Sequence, residues 1–250
     1  MIYKFSFLSV LLGLACFMCL ASCKWLTDTP APKPIISITF DDQHYNVYSK
    51  ALPLLNSFGY RATSYVNTAA LGQGNLLTVN QVIDLHHTYG WEIGGHSLNH
   101  ENLVQLNYAQ AETAIVGDYN NLLNWGLNPR SFAFPRGECP LEYFPILTSY
   151  YDYLRGSNDY PMFTPLNVLD LGYLPFQSDW TAEIMKQRVL KGIADGENLI
   201  ILGFHRIDEP DTPFGDNCSI QDFSALLAFI HQLGLEVLPL SEAVDKLQSR

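Results

Sequence analysis

No cluster of lysines and arginines occurs anywhere in the 250 residues. The formal charge is −11, and it becomes −12 once Lys4, the only charged residue before Cys23, is removed. Nucleic acids and anionic lipids are bound through clustered cations, so neither is expected as the main partner. A glycine-rich dinucleotide fingerprint is also missing: Gly72-Gln73-Gly74 follows no strand-to-helix turn and lacks the third glycine. Neither an internal repeat nor a linker to a second domain is found, and the length suits one domain with a full core. Cysteine is scarce. Two of the five, Cys16 and Cys19, lie in the first 22 residues, which leaves Cys139 and Cys218 beside Cys23. Both lie just past candidate active-site loops, and a disulfide and two free thiols are both open.

Long apolar runs are confined to the N-terminus. Phe5 to Leu20 is almost wholly apolar, follows Lys4 and ends in Leu20-Ala21-Ser22-Cys23. The run is short against the roughly 20 residues of a membrane-spanning helix. It resembles a bacterial lipoprotein signal, with a plain signal peptide or a short membrane anchor as the alternatives. Residues 1–22 are therefore expected to be a signal peptide. Lipidated Cys23 would hold the exported chain to a membrane of the bacterial cell envelope. Residues 23–34, with Pro30, Pro32 and Pro34, read as an extended tether.

From residue 35 to 250 apolar strands alternate with helical patterns. Strands are expected at 35–40, 61–66, 92–95, 131–134, 151–154, 168–173, 199–204 and 236–240. Helices are expected at 47–58, 79–89 with Thr78 as cap, 108–125 closed by Gly126, 181–193 with Asp179 as cap, 220–233 and 242–247. Such alternation calls for a parallel sheet covered by helices. The expected fold is α/β, a distorted (β/α) barrel of about seven parallel strands in a single domain. Asp41, Asp42, His96, His100, Arg136 and His205 all fall at or just after the C-terminal ends of these strands. In a parallel barrel those ends share the face where active sites are built.

The residue types suggest a catalytic cation. One carboxylate of the Asp41-Asp42 pair with the imidazoles of His96 and His100 makes three ligands and an open position, as a catalytic divalent ion needs. The second carboxylate could take a proton from water. A capping pair on a surface loop is the plainer alternative. His96 and His100 are four apart, which on a helical turn puts both rings on one face. Adjacent His86 and His87 face different directions and are assigned no role. His205 follows the apolar run Leu199 to Phe204 and is either a satisfied core residue or a site residue suited to protonating a leaving amine. Pro135 and Gly137 shape a turn around Arg136 whose backbone amides could meet an oxyanion.

In this order the motifs Thr39-Phe40-Asp41-Asp42, His96-Ser97-Leu98-Asn99-His100, Pro135-Arg136-Gly137 and Leu202-Gly203-Phe204-His205 resemble those of the polysaccharide deacetylase family, also called carbohydrate esterase family four. The resemblance implies that Asp41 is the general base and His205 the general acid. It implies that Asp42, His96 and His100 hold a divalent metal, zinc first, with cobalt or nickel as substitutes. Pro135 and Arg136 would meet substrate, the Arg136 amide at the oxyanion. The implied reaction is removal of N-acetyl groups from a sugar polymer, or of O-acetyl groups as in xylan-active members. The implied partner is an acetylated polysaccharide taken by a monomer. A catalytically silent carbohydrate-binding lipoprotein is the rival, and keeping a full base–metal–acid set argues against it. Three positions depart from the family pattern. Ala133 stands where an Arg that holds the base is common, and Arg155 is the candidate replacement. Gln43 stands where Gly is common and is expected to narrow the site near His44, itself a candidate extra contact. Asp179-Trp180 is a doubtful match to an Asp-Trp motif: it reads as a helix cap and packing Trp, or as a wall of the acetyl pocket.

Overall fold

The structure, a computed structural model, describes residues 33–177, 179–209 and 217–249. The signal segment, Cys23 and most of the tether lie outside the described residues. Seven strands form one parallel sheet: β1 (Ile35–Phe40), β2 (Thr63–Val66), β3 (Glu92–Gly95), β4 (Ser131–Ala133), β5 (Tyr153–Arg155), β6 (Leu174–Pro175) and β7 (Leu199–Phe204). Their order is β5-β4-β3-β2-β1-β7-β6. A separate pair, β8 (Arg206–Asp208) and β9 (Asn217–Ser219), follows β7. The sheet is curled, a distorted barrel whose edge strands β5 and β6 share no ladder; Leu171 bridges to Arg155 beside that gap.

The longest pairing, β1 on β7, runs from Ile35 opposite Leu199 to Phe40 opposite Phe204. Both strands are apolar runs buried along their whole length, as parallel strands covered on two faces must be. Alternate residues divide the core. Ile36, Ile38, Phe40, Ile200, Leu202 and Phe204 pack outward under the helices. Ile35, Tyr65, Ala133, Tyr153, Leu199 and Ile201 pack inward. Phe40 stacks on Trp91 at 5.5 Å and meets the edge of Phe223 at 5.9 Å. Each such ring or branched side chain contributes roughly 1.5–3 kcal/mol by burial.

The helices are α1 (Leu52–Ser57), α2 (Val79–His87), α3 (Tyr108–Asn124), α4 (Phe144–Leu147), α5 (Ala182–Asp195), α6 (Ile220–Gln232) and α7 (Leu240–Gln248). Thr78 caps α2 in a capping box with Gln81, and Asn107 with Gln110 does the same for α3. Gly126, at φ 76°, follows α3 and turns the chain. The expected helix over 47–58 divides into a wide turn at Val47–Ala51 and then α1, because Pro53 has no amide to donate backward.

Other expectations are corrected. The segment 168–173 forms no strand beyond the single bridge of Leu171, and the ladder begins only at Leu174. Tyr173 donates its amide to Asn158 and so leaves the sheet. The strand expected at 236–240 is reduced to one bridge between Val237 and Ile36, because Pro239 lacks an amide and α7 starts at Leu240. Thr181, not Asp179, occupies the cap of α5, and the Ala182 amide donates to Asp222 at 2.7 Å. Cys139 and Cys218 are free thiols; burial pushes Cys139 up to about 12.

Candidate active site

Strand alternation carries Asp41 into the barrel, in line with Ile35, Ser37 and Thr39, and its amide still donates to Phe204. Asp42 and Gln43 then adopt left-handed backbone at φ 66° and 42°. That reversal brings Asp42 into the same cleft as its neighbour. Asp42 Oδ1 lies 3.6 Å from His96 Nε2 and 3.5 Å from His100 Nε2. Asp42 Oδ2 lies 4.0 Å from His205 Nε2. One donor atom from each of Asp42, His96 and His100 falls within 4.8 Å of the others, a spacing that fits a cation among them.

His96 is fixed from three sides. Its Nδ1 lies 2.8 Å from the Ala133 carbonyl, which can only accept, so Nδ1 carries the proton and Nε2 offers its lone pair to the cleft. Its amide donates to Asp118 at 3.0 Å, and the Asn67 side chain donates to its carbonyl. Burial holds the imidazole below its usual value, against the pull of Asp41 and Asp42, and a neutral ring is what metal ligation requires. Asp118 projects from α3 and also accepts the Thr68 amide at 3.0 Å; burial nevertheless pushes its carboxyl up to about 8.

His100 reaches the site by a loop and not by the helical turn that the four-residue spacing suggested. Ser97 and His100 are left-handed, at φ 63° and 56°. Glu101 braces the loop, accepting from Ser97 Oγ at 2.6 Å and from the Asn99 amide at 2.9 Å. Burial would raise its carboxyl, but these donors hold it below the usual value. The two imidazole centroids end 5.0 Å apart.

Asp41 is 4% exposed and meets Arg155, itself 1% exposed. Arg155 Nη2 donates to both carboxylate oxygens at 2.6 Å. Burial alone would raise the Asp41 carboxyl; Arg155, with His96 and His205, outweighs it and holds the group below its ordinary value. Arg155 therefore touches the carboxylate expected to be the base, as the candidate replacement for an arginine at position 133. His205 is one-quarter exposed, and its Nδ1 is buried without a hydrogen-bond partner among the described residues.

These groups line one cleft of about 240 Å³ with Phe134, Arg136, Gly137, Ser157, Tyr173 and Pro175. Arg136, left-handed at φ 61°, and Gly137 form its wall, while Pro135 is buried behind them. Phe134 and Gly137 also line a wider hollow of about 840 Å³ that reaches Leu141, Asn158 and Asp170. Gln43 does not narrow the cleft. Its side chain is buried and accepts the Asn67 amide at 2.8 Å. His44 lies outside the three-donor set, in a neighbouring recess with Leu76 and Asn99. Trp180 packs at the edge of Phe176 and does not line the cleft, which supports its reading as a packing residue.

Asp118, Asn67 and Glu101 were not anticipated from sequence. For Asp118 a signal existed: it falls on the buried stripe of α3 with Ala111, Ala114, Ile115 and Leu122. A carboxylate at helical spacing within an apolar face needs donors, and here they come from the strand ends.

Residues 28–150 match the sequence profile described as polysaccharide deacetylase. A curated relative from Staphylococcus aureus (strain MRSA252), named poly-beta-1,6-N-acetyl-D-glucosamine N-deacetylase, is 24% identical over 130 residues, 46% of this chain and 45% of that one. This chain thus matches under half the length of that relative. Among solved structures, the Bc1960 peptidoglycan N-acetylglucosamine deacetylase aligns with a TM-score of 0.60 at 19% identity, covering 86% of this chain and 90% of that one. A family 4 acetyl xylan esterase from Clostridium thermocellum, in complex with a cobalt ion, gives 0.58 at 20% identity over 85% and 91%. BA3943 from Bacillus anthracis, a CE4 family pseudoenzyme, gives 0.59 at 14% identity over 87% and 68%. At such identities the structural likeness is one of fold. The profile match covers the segment that carries Asp41, Asp42, His96, His100, Pro135 and Arg136, so residues 28–150 belong to the polysaccharide deacetylase family, and the barrel is the fold shared with those structures.

Proposed function

We propose that the protein is a metal-dependent hydrolase that removes N-acetyl groups from an acetylated polysaccharide of the bacterial envelope or its surroundings. The observation that carries this reading is the cleft itself. Three donors from Asp42, His96 and His100 lie on the same small surface as a carboxylate paired to arginine and an imidazole. One carboxylate and two imidazoles suit a zinc-like ion, with cobalt or nickel as substitutes. A divalent cation held by Asp42, His96 and His100 would supply Lewis acidity and a positive charge beside the attacking water.

The chain's own residues do the rest. Asp41, kept ionised by Arg155, takes the proton of the attacking water. His205 gives a proton to the departing amine nitrogen as acetate leaves. The turn at Arg136 presents backbone to the developing oxyanion. Each proton-transfer group contributes roughly 10²–10⁴-fold. The 840 Å³ hollow beside the cleft leaves room for further sugars of a polymer. The name of the curated relative, an N-deacetylase, favours amide over ester. The Leu20-Ala21-Ser22-Cys23 segment supports attachment through lipidated Cys23, which would hold the protein at a membrane of the envelope.

The test is acetate release by the protein lacking residues 1–23 from a panel of N-acetylated and O-acetylated glycans, after chelation and after adding Zn²⁺, Co²⁺ or Ni²⁺. Release from N-acetylated glycans only when metal is restored is the expected result. Preference for an O-acetylated xylan would instead assign an esterase. Metal binding absent and no glycan cleaved would make the protein a silent binding module.

A further inference from the structure

Arg155 lies between two tyrosine rings. Its guanidinium carbon is 4.0 Å from the centroid of Tyr173 and 5.0 Å from that of Tyr65. The two tyrosines are 3% and 0% exposed. Arg155 comes from β5, the edge strand, and reaches Asp41 at the end of β1, four strands away in the sheet. A long side chain spanning that interior has many rotamers open to it. Besides the bonds to Asp41, the guanidinium makes one other hydrogen bond among the described residues, from Nη1 to the Gly156 carbonyl at 3.0 Å. Each ring turns its face to the guanidinium and favours its charge.

Two glycines make room for these rings. A Cβ on Gly203 would fall 1.5 Å from Tyr173 Cε2, and a Cβ on Gly94 would fall 2.5 Å from Tyr65 Cε1. Gly203 belongs to the Leu202-to-His205 segment, and Gly94 lies two residues before His96. Neither has a left-handed backbone, so conformational freedom does not account for them. Close approach of an aromatic ring does. The Tyr173 hydroxyl has no hydrogen-bond partner among the described residues, so the face of the ring is what acts on Arg155.

We propose that Tyr65 and Tyr173 are positioning residues that clamp Arg155, so that its guanidinium stays on both oxygens of Asp41, and that Gly94 and Gly203 are small in order to seat the two rings. The clamp rests on the reading of Asp41 as general base. It offsets the displacement of the arginine from position 133 to position 155, the two being paired neighbours on β4 and β5.

The decisive experiment compares Tyr173→Leu with Tyr173→Phe in the full-length protein, with Tyr173→Met in reserve as the larger apolar replacement if Tyr173→Leu does not fold. Three quantities are read: bound Zn²⁺, kcat and KM for acetate release, and the position of Arg155 in a crystal structure. Tyr173→Leu should keep its metal and its KM, lose about 10²-fold in kcat as a misplaced group does, and show the guanidinium displaced from Asp41. Tyr173→Phe should restore kcat and the Arg155 position. A Tyr173→Leu enzyme with wild-type kcat and Arg155 in place would overturn the clamp. So would a Tyr173→Phe enzyme as impaired as Tyr173→Leu, since the hydroxyl would then be the acting group. If the wild type itself releases no acetate, the assigned function fails. The crystallographic comparison still decides the clamp.

Discussion

At the N-terminal end of the strands, Glu92 accepts hydrogen bonds from Thr63, from Ser131 and from both the amide and hydroxyl of Ser241. Those bonds tie α7 to the mouth of the barrel, and a carboxylate at a helix N-terminus also meets its dipole. Nearby, Arg61 makes two bonds to Glu242, and Arg130 is shared between Asp152 and Asp245. At the C-terminal end the accounting differs. Asp42, Gln43, Ser97, His100 and Arg136 are the non-glycine residues with positive φ among those described; all but Ser97 line the cleft or the recess beside it, and Ser97 follows His96. Among the described residues His205 keeps a buried nitrogen without a partner, and Asp42 faces three imidazoles. Left-handed backbone costs such residues about 1–2 kcal/mol each. One end of the barrel satisfies its polar groups and stabilises the fold. The other gathers left-handed backbone and mutually facing polar groups, the pattern of a site rather than of a scaffold.

The largest break in that contrast should come from Arg155→Ala. Leaving Asp41 buried without its partner should cost about 3–5 kcal/mol of stability and at least about 10²-fold in kcat, read by thermal unfolding and acetate release. Adding Ala133→Arg to that variant should recover part of both losses, because positions 133 and 155 are paired across β4 and β5 and both point inward. No recovery would show that the arginine works only from β5. At the opposite end, Glu92→Ala should lower stability by about 2 kcal/mol, as its donors lose their acceptor, with kcat unchanged. A fall in kcat at constant metal content would erase the division between the two ends. The smallest effect sharpens it most. His100→Gly should abolish metal binding yet make the metal-free protein about 0.5 kcal/mol more stable, since relief of left-handed strain exceeds the entropy glycine adds to the unfolded chain. A less stable metal-free protein would mean that His100 is not strained.

The sequence was most readable where one physical signal dominated. β1, β3 and β7 have their expected bounds because each is an apolar run ending at a polar motif. The convergence of Asp42, His96 and His100 followed from strand ends sharing one face of a parallel sheet. Arg155 was legible as the partner of Asp41 because the motif position held Ala133 and another arginine followed the next strand. What the sequence hid was set by tertiary context. The four-residue spacing of His96 and His100 suggested a helical turn, but Glu101 and two left-handed residues form a loop instead. Pro239 and the Tyr173–Asn158 hydrogen bond shortened strands that hydrophobicity alone extends. The tyrosine rings around Arg155 were invisible because contacts across a barrel interior leave no periodic trace.

The central claim is that Asp42, His96 and His100 hold the ion while Asp41 moves the proton. Its most direct test measures bound Zn²⁺ and acetate release side by side for the wild type and Asp41→Asn. The account predicts one ion bound by each protein and release by the wild type alone. Undiminished release by Asp41→Asn, or release by a wild type stripped of metal, would contradict it.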